Sequence, residues 1–350
     1  MHSGEMEMIM GTNFVVQFFG QEFSIDRVAF SIGSFAVYWY GILIAVGFLG
    51  ALIYAYRRAP DFKISLDPMV DVVLVGAIGA VVCARLYYVA MQWSQFADDP
   101  LKILDLRTGG LAIYGGVIGA FLFGGLMCRV KKIKVFAMFD LAGIGFLLGQ
   151  AVGRWGNFVN QEAFGVNTTM PWGMFSEGTY AELLASKSQL AAIGVTVDPS
   201  LPVHPCFLYE SIWCLAGFVL LHFYSKHRRF DGEIALAYIA YYGLGRFFIE
   251  GLRTDSLMIG PIRASQLLAL LCFVGGGIAL FALRRKFRPM TEAERAYEPL
   301  FATDQPLMGE EEPLLSVSLH PTERVLPVEP DRPAQDDKPS KEETDHGREN

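Results

Sequence analysis

Four polar residues, Arg154, Asn157, Asn160 and Glu162, follow one another at intervals of three, three and two where a long apolar stretch ends. They belong to the run Gly153-Arg154-Trp155-Gly156-Asn157-Phe158-Val159-Asn160-Gln161-Glu162. A second set, Arg246, Glu250 and Arg253, is spaced by four and three within another apolar stretch. That spacing puts all three on one helix face, where the glutamate can pair with both arginines. A charge in or beside hydrocarbon costs at least about 2.5–3.5 kcal/mol on insertion scales, so such residues usually line a functional cavity. A guanidinium stays charged there and holds phosphate through paired donors. The chemistry expected is recognition of an anion by a membrane protein.

The elements that must position these residues are helices. Hydrophobic residues make up 52% of the 350 and charged residues 19%, too apolar for an ordinary soluble domain of this size. Apolar runs predict helices at 37–56, 69–92, 110–128, 136–152, 206–224, 233–250 and 264–283, each near the roughly 20 residues needed to cross a bilayer. Their connections sort by charge. One set holds Arg57, Arg58 and Lys63, then Arg129, Lys131, Lys132 and Lys134, then Lys226, Arg228 and Arg229, then Arg284, Arg285, Lys286 and Arg288. The other holds only Lys102, Arg107, Lys187 and Arg263. By the positive-inside rule this predicts an all-α polytopic membrane protein of seven transmembrane helices, with the N-terminus outside and the C-terminus cytoplasmic.

Two domains are expected: a membrane domain over 1–287, including an external connection at 153–205, and a tail over 288–350. The tail holds 16 Asp/Glu against 7 Lys/Arg and nine prolines, a balance of −9, so the acidity behind the chain's net −7 resides there and residues 1–287 carry a balance of +2. Disorder in the cytoplasm is the expectation for such a segment. Nothing in this balance suggests nucleic-acid binding. The five cysteines (Cys83, Cys128, Cys206, Cys214, Cys272) show neither CxxC nor zinc spacing, so they are expected to be buried thiols. Acidic residues stand where a signal peptide would carry positive charge, and no cleaved signal is expected.

Given that topology, the embedded polar residues share a depth. Tyr40, Arg85, Tyr88, Tyr114, Gln150, Arg154, Tyr209, Glu210, Arg246, Glu250 and Arg253 all fall in the outer halves of their helices. This convergence predicts a cavity open to the outer leaflet. Asp140, near the inner end of its helix, stands apart and is expected to hold an interhelical hydrogen bond. Gly109-Gly110, Gly115-Gly116 and Gly119 bracket Tyr114; they fit close helix contact and close backbone approach to a lipid headgroup equally well.

The stretch GRWGNFVNQEAFG, residues 153–165, resembles the signature of the prolipoprotein diacylglyceryl transferase family, with Arg154, Gly156, Asn157, Asn160 and Glu162 in matching positions. Trp39-Tyr40-Gly41, Gly109-Gly110 with Tyr114-Gly115-Gly116, His204-Pro205 with Tyr209-Glu210, and Arg246, Glu250 and Arg253 follow in family order, over roughly residues 30–285. The resemblance implies a multi-pass enzyme of the bacterial cytoplasmic membrane. It would transfer the diacylglyceryl group of phosphatidylglycerol to the lipobox cysteine of a preprolipoprotein, with no cofactor and no metal. It implies catalytic roles for Arg154, Arg246, Tyr114 and Glu250. Tyr40, Arg85, Asn157, Asn160, Glu162, Arg253, Gly115 and Gly116 would bind substrate. Many family members carry His where this chain has Tyr114, and none of the six histidines lies in that helix, so the resemblance leaves the general base unassigned. A transporter or anion channel would use the same arginines as a selectivity site, but predicts a polar path through the inner halves, which these helices lack. A lipid-binding scaffold without a reaction is the third reading.

Overall fold

Proline and glycine punctuate the apolar runs, and the helix boundaries follow them. A computed structural model describes residues 13–33, 35–97, 99–105, 109–259 and 262–289. Helices are α1 (Trp39–Arg58), α2 (Leu66–Met91), α3 (Ile113–Val130), α4 (Val135–Asn160), α5 (Glu177–Ala192), α6 (Cys206–Tyr224), α7 (Glu233–Leu252) and α8 (Ala264–Lys286). Pro60, which cannot continue an α-helix ladder, stands just past the end of α1, and the chain reverses through Lys63 at φ 55°. Pro205 stands immediately before α6.

Six of these helices are long and apolar enough to cross a membrane. The two helices outside that set are α5, which has only 16 residues, and α7, which is twenty residues long but carries Glu233, Arg246 and Glu250. The chain is mostly rather than wholly helical, a correction to the all-α expectation. Strands β1 (Asn13–Phe18), β2 (Gln21–Asp26) and β5 (Met174–Ser176) form an antiparallel sheet with β1 in the centre. β3 (Val28–Ile32) pairs with β4 (Phe35–Tyr38), which runs straight into α1, and β6 (Met258–Ile259) pairs with β7 (Ile262–Arg263) before α8.

Two cores result. One lies among α1, α2, α4, α6 and α7, with Met69, Leu141, Ile144, Leu147 and Ile234 fully buried. The other gathers Phe14, Val16 and Phe18 of β1 with Met174, Leu183, Val203, Phe158 and Phe207. The Phe158 and Phe207 rings stack at 4.7 Å, so this second core is fastened to the ends of α4 and α6. The connection expected to be external therefore begins at 161 rather than 153, and it contains β5 and α5. Thr179 and Ser176 close a capping box at the start of α5.

Glycine lets the helices touch. A Cβ at Gly119 would strike the Gly79 carbonyl, and one at Gly115 would strike Cys83 O and lie 2.5 Å from Tyr87 Cβ. These glycines serve contact between α3 and α2. Gly116 has ordinary clearance, 3.7 Å from the nearest α2 atoms. Asp140 makes the interhelical bond expected of it: its carboxylate accepts Gly232 N–H and Ala235 N–H, both at 2.8 Å, and so caps α7. Of the acidic tail, all but residues 288 and 289 lie outside the described residues.

Candidate active site

Glu210 of α6 is the centre of the site, although the sequence reading gave it no role. Its side chain is 3% exposed. One carboxylate oxygen meets Arg154 Nη2 of α4 at 2.6 Å and accepts the Tyr242 hydroxyl of α7 at 2.8 Å. The other meets Arg246 Nη1 of α7 at 3.0 Å. Arg246 Nη2 then pairs with Glu250 at 2.5 Å, one helical turn along α7. Two guanidiniums from different helices are thus held side by side by one carboxylate, and a second carboxylate fixes the outer edge of Arg246. Sequence spacing shows the pairing of Arg246 with Glu250, but a link between α4, α6 and α7 leaves no such trace.

α4 runs on through Asn160, so Arg154, Asn157 and Asn160 project from its last turns instead of from a loop. Gln161 ends it at φ 55°, and its side chain folds back to the Phe158 carbonyl. Arg154 Nη1 donates to Asn157 Oδ1 at 3.2 Å. Asn157 donates to Glu162 at 2.8 Å and Asn160 to the same carboxylate oxygen at 3.4 Å. Arg27 Nη2 donates to the Asn160 carbonyl at 2.7 Å, tying the N-terminal strands to this end of α4. Gly156 is open because Tyr40 of α1 lies on it; a Cβ there would come within 2.5 Å of the Tyr40 ring.

Other expected members stand apart from the cluster. Arg253 turns to Asp255, with Nε to Oδ1 at 2.8 Å and Nη2 to Oδ2 at 2.5 Å, so its direct ion pair is with Asp255, while Glu250 pairs directly with Arg246 and acts on Arg253 only through space. Arg85 is buried and donates to five backbone carbonyls, those of Lys102, Ile103, Asp105, Gly109 and Gly110. This corrects its assignment to substrate: its guanidinium is taken up by the chain itself. Tyr114 is partly exposed, and its hydroxyl lies 3.4 Å from Ser265 Oγ at the start of α8.

Gln150 donates to the Tyr238 hydroxyl at 3.1 Å one turn below Arg154, a link between α4 and α7 that sequence reasoning also missed. His204 Nδ1 lies 3.0 Å from the Tyr209 hydroxyl, which accepts Trp172 Nε1 at 2.8 Å. Burial holds the His204 imidazole below its ordinary pKa, so it is neutral at neutral pH.

Chemically, the cluster can receive an anion while its own charges, two guanidiniums against two carboxylates, are already balanced. Each guanidinium has five N–H donors. The contacts described for Arg154 and Arg246 engage only the two terminal nitrogens of each. Their side chains remain 22% and 18% exposed, so donors are left to meet an incoming anion. Because the carboxylates fix the guanidiniums beforehand, little reorganisation accompanies charge developing on that anion.

The sequence model of the family described as prolipoprotein diacylglyceryl transferase matches residues 27–282. The chain belongs to the prolipoprotein diacylglyceryl transferase family. Similar relatives are named phosphatidylglycerol–prolipoprotein diacylglyceryl transferase. The one from Clostridioides difficile is 39% identical over 262 residues, covering 75% of this chain and 97% of its own length. That from Bacillus cytotoxicus is 44% identical, covering 70% and 87%, and that from Bacillus cereus is 42% identical, covering 78% and 96%.

Proposed function

We propose that the protein transfers the diacylglyceryl group of phosphatidylglycerol to the lipobox cysteine thiol of preprolipoproteins, the first step of bacterial lipoprotein maturation. Glycerol 1-phosphate is released and a thioether remains. The observation that carries the reading is the Arg154–Glu210–Arg246 bridge, a preorganised pair of guanidiniums in a member of this family.

Sulfur attacks the glyceryl carbon, the carbon–oxygen bond to phosphate breaks, and its electron pair stays on the departing phosphate. The thiol's proton balances the charge that the phosphate gains. A free thiol of pKa about 8.5 is mostly protonated at neutral pH, so attack requires its loss. Arg154 and Arg246 hold the phosphodiester and stabilise the leaving group. Glu210 and Glu250 keep the guanidiniums in place and compensated. Asn157, Asn160 and Glu162 order the end of α4 and the headgroup. Tyr40 donates to the lipid, Tyr114 positions it, and Arg253 supports the loop beyond α7. Gly115 lets α3 approach α2.

The membrane arrangement belongs to the same reading: seven crossings, with α7 the seventh, an external N-terminus and a cytoplasmic C-terminus, in the bacterial cytoplasmic membrane. The asymmetric loop charges and the twenty-residue length of α7 support it. Asp140 and Glu233, buried away from the arginine cluster, are both engaged in helix-end contacts, so they favour a closed inner half over a transport path. The direct experiment supplies purified protein with labelled phosphatidylglycerol and a lipobox peptide. Thioether-linked product with equimolar glycerol 1-phosphate is expected; folded protein that yields neither would refute the proposal.

A further inference from the structure

Arg85 fits no role at the phosphate. Its five carbonyl acceptors are gathered from two stretches, Pro100–Leu104 with Asp105 and the pair Gly109-Gly110. The distances run from 2.7 Å, for Nη2 to Lys102 O and Nη1 to Gly109 O, to 3.0 Å for Nη1 to Gly110 O. Gly109 and Gly110 have φ of +80° and +75°, a conformation that only glycine adopts without strain, and it lets both carbonyls turn to one nitrogen. A Cβ at Gly110 would lie 2.5 Å from Arg85 Nη1, so no other residue fits there.

The other face of the same stretches is mainly apolar, with Lys102, 63% exposed and 3.9 Å from Asp99, as its charged member. Leu101, Leu104 and Ile113 are 77%, 81% and 75% exposed. Backbone polar groups drawn inward with leucines turned outward is the reverse of an ordinary solvated loop. Non-helical backbone is tolerated at membrane depth only where its polar groups are satisfied within the protein. A single guanidinium performs that service here for five carbonyls. α2 leads into these stretches and α3 leads out, and both are long and apolar enough to cross a membrane.

We propose that Pro100–Leu104 and residues 109–113 form a surface that lies in the outer leaflet, with Leu101, Leu104 and Ile113 among the acyl chains and Arg85 as the buried post that makes this possible. Arg85 is a positioning residue, and the surface it shapes leads directly into Tyr114 at the start of α3.

The test uses full-length protein in liposomes, with Cys83 and Cys272, the two incompletely buried thiols, changed to Ala. Leu101→Cys and Leu104→Cys each receive a nitroxide, and Lys187→Cys, on the exposed part of α5, serves as an aqueous reference. Collision with membrane-dissolved oxygen should exceed collision with a water-soluble nickel chelate severalfold at 101 and 104, with the opposite preference at 187. A preference for the nickel chelate at 101 and 104 would overturn the proposal. The second arm adds Arg85→Lys. An ammonium has three donors and cannot span five carbonyls, so the label at 104 should lose its oxygen preference and gain mobility. An unchanged oxygen preference at 104 in that variant would remove Arg85 from the proposal.

Discussion

Glu210→Gln removes one charge from the middle of the site with almost no change in volume. The carboxylate serves Arg154 and Tyr242 with one oxygen and Arg246 with the other. The amide keeps one acceptor oxygen and turns N–H donors toward whichever arginine faces its nitrogen, so one guanidinium loses its anchor. Removing one partner of a buried ion pair costs about 3–5 kcal/mol, because the other charge stays behind uncompensated. Some of that cost appears as lost stability. The part felt in turnover is the loss of a fixed guanidinium, and losing one preorganised donor lowers kcat by about 10²–10³. Meanwhile the site gains a net positive charge, so its attraction for an anionic headgroup does not fall. The expected result is a kcat lower by about 10²–10³ with KM for phosphatidylglycerol unchanged or reduced. Transfer of labelled diacylglyceryl to a lipobox peptide in proteoliposomes measures both, and gel filtration checks folding. Wild-type kcat in a folded Glu210→Gln protein would refute the bridging role. So would a fall expressed wholly as a raised KM.

Arg154→Lys should insert normally yet lose about 10²-fold or more in kcat, since a point charge cannot meet Glu210, Asn157 and a phosphate together; near-normal transfer by the same assay would take phosphate stabilisation away from this residue. Tyr114→Phe gives up a 3.4 Å contact with Ser265 and a hydrogen bond to lipid, and should cost about tenfold or less, with Ala worse; complete inactivity of a folded Phe variant would give the hydroxyl a proton-transfer role. Deletion of 292–350, which lies beyond the region matched by the family, should leave transfer intact in membranes holding equal amounts of protein; a large loss would make the tail part of the enzyme.

Helix positions were legible because a bilayer demands long apolar runs, and α1, α6 and α7 begin or end within a few residues of expectation. The end of α4 was not. Arg154, Asn157 and Asn160 read as loop residues by polarity, but Glu210 and Glu162 satisfy them and the helix continues. β1 shows only Phe14, Val16 and Phe18 in alternation, too short a pattern to announce a strand, and its partner β5 lies far along the chain. The bonding of Arg85 was invisible because its acceptors are backbone carbonyls, which have no residue type. Glu210 could be seen as an embedded charge, but its two arginines come from helices whose proximity only the fold reveals.

The capping of α7 by Asp140 acts as a gauge for the site. Fourteen residues separate Asp140 from Arg154 on α4, and fourteen separate Gly232 from Arg246 on α7. At 1.5 Å per residue each arginine stands about 21 Å along its helix from the same latch. Two parallel rulers of equal length, zeroed at one hydrogen bond, deliver both guanidiniums to Glu210 at one height. A one-residue insertion in either interval would lift its arginine by about 1.5 Å and swing it by about a quarter turn, away from the carboxylate. Length changes should therefore be confined to the loops of this protein, and the count between latch and arginine should be harder to alter than most of the residues that fill it.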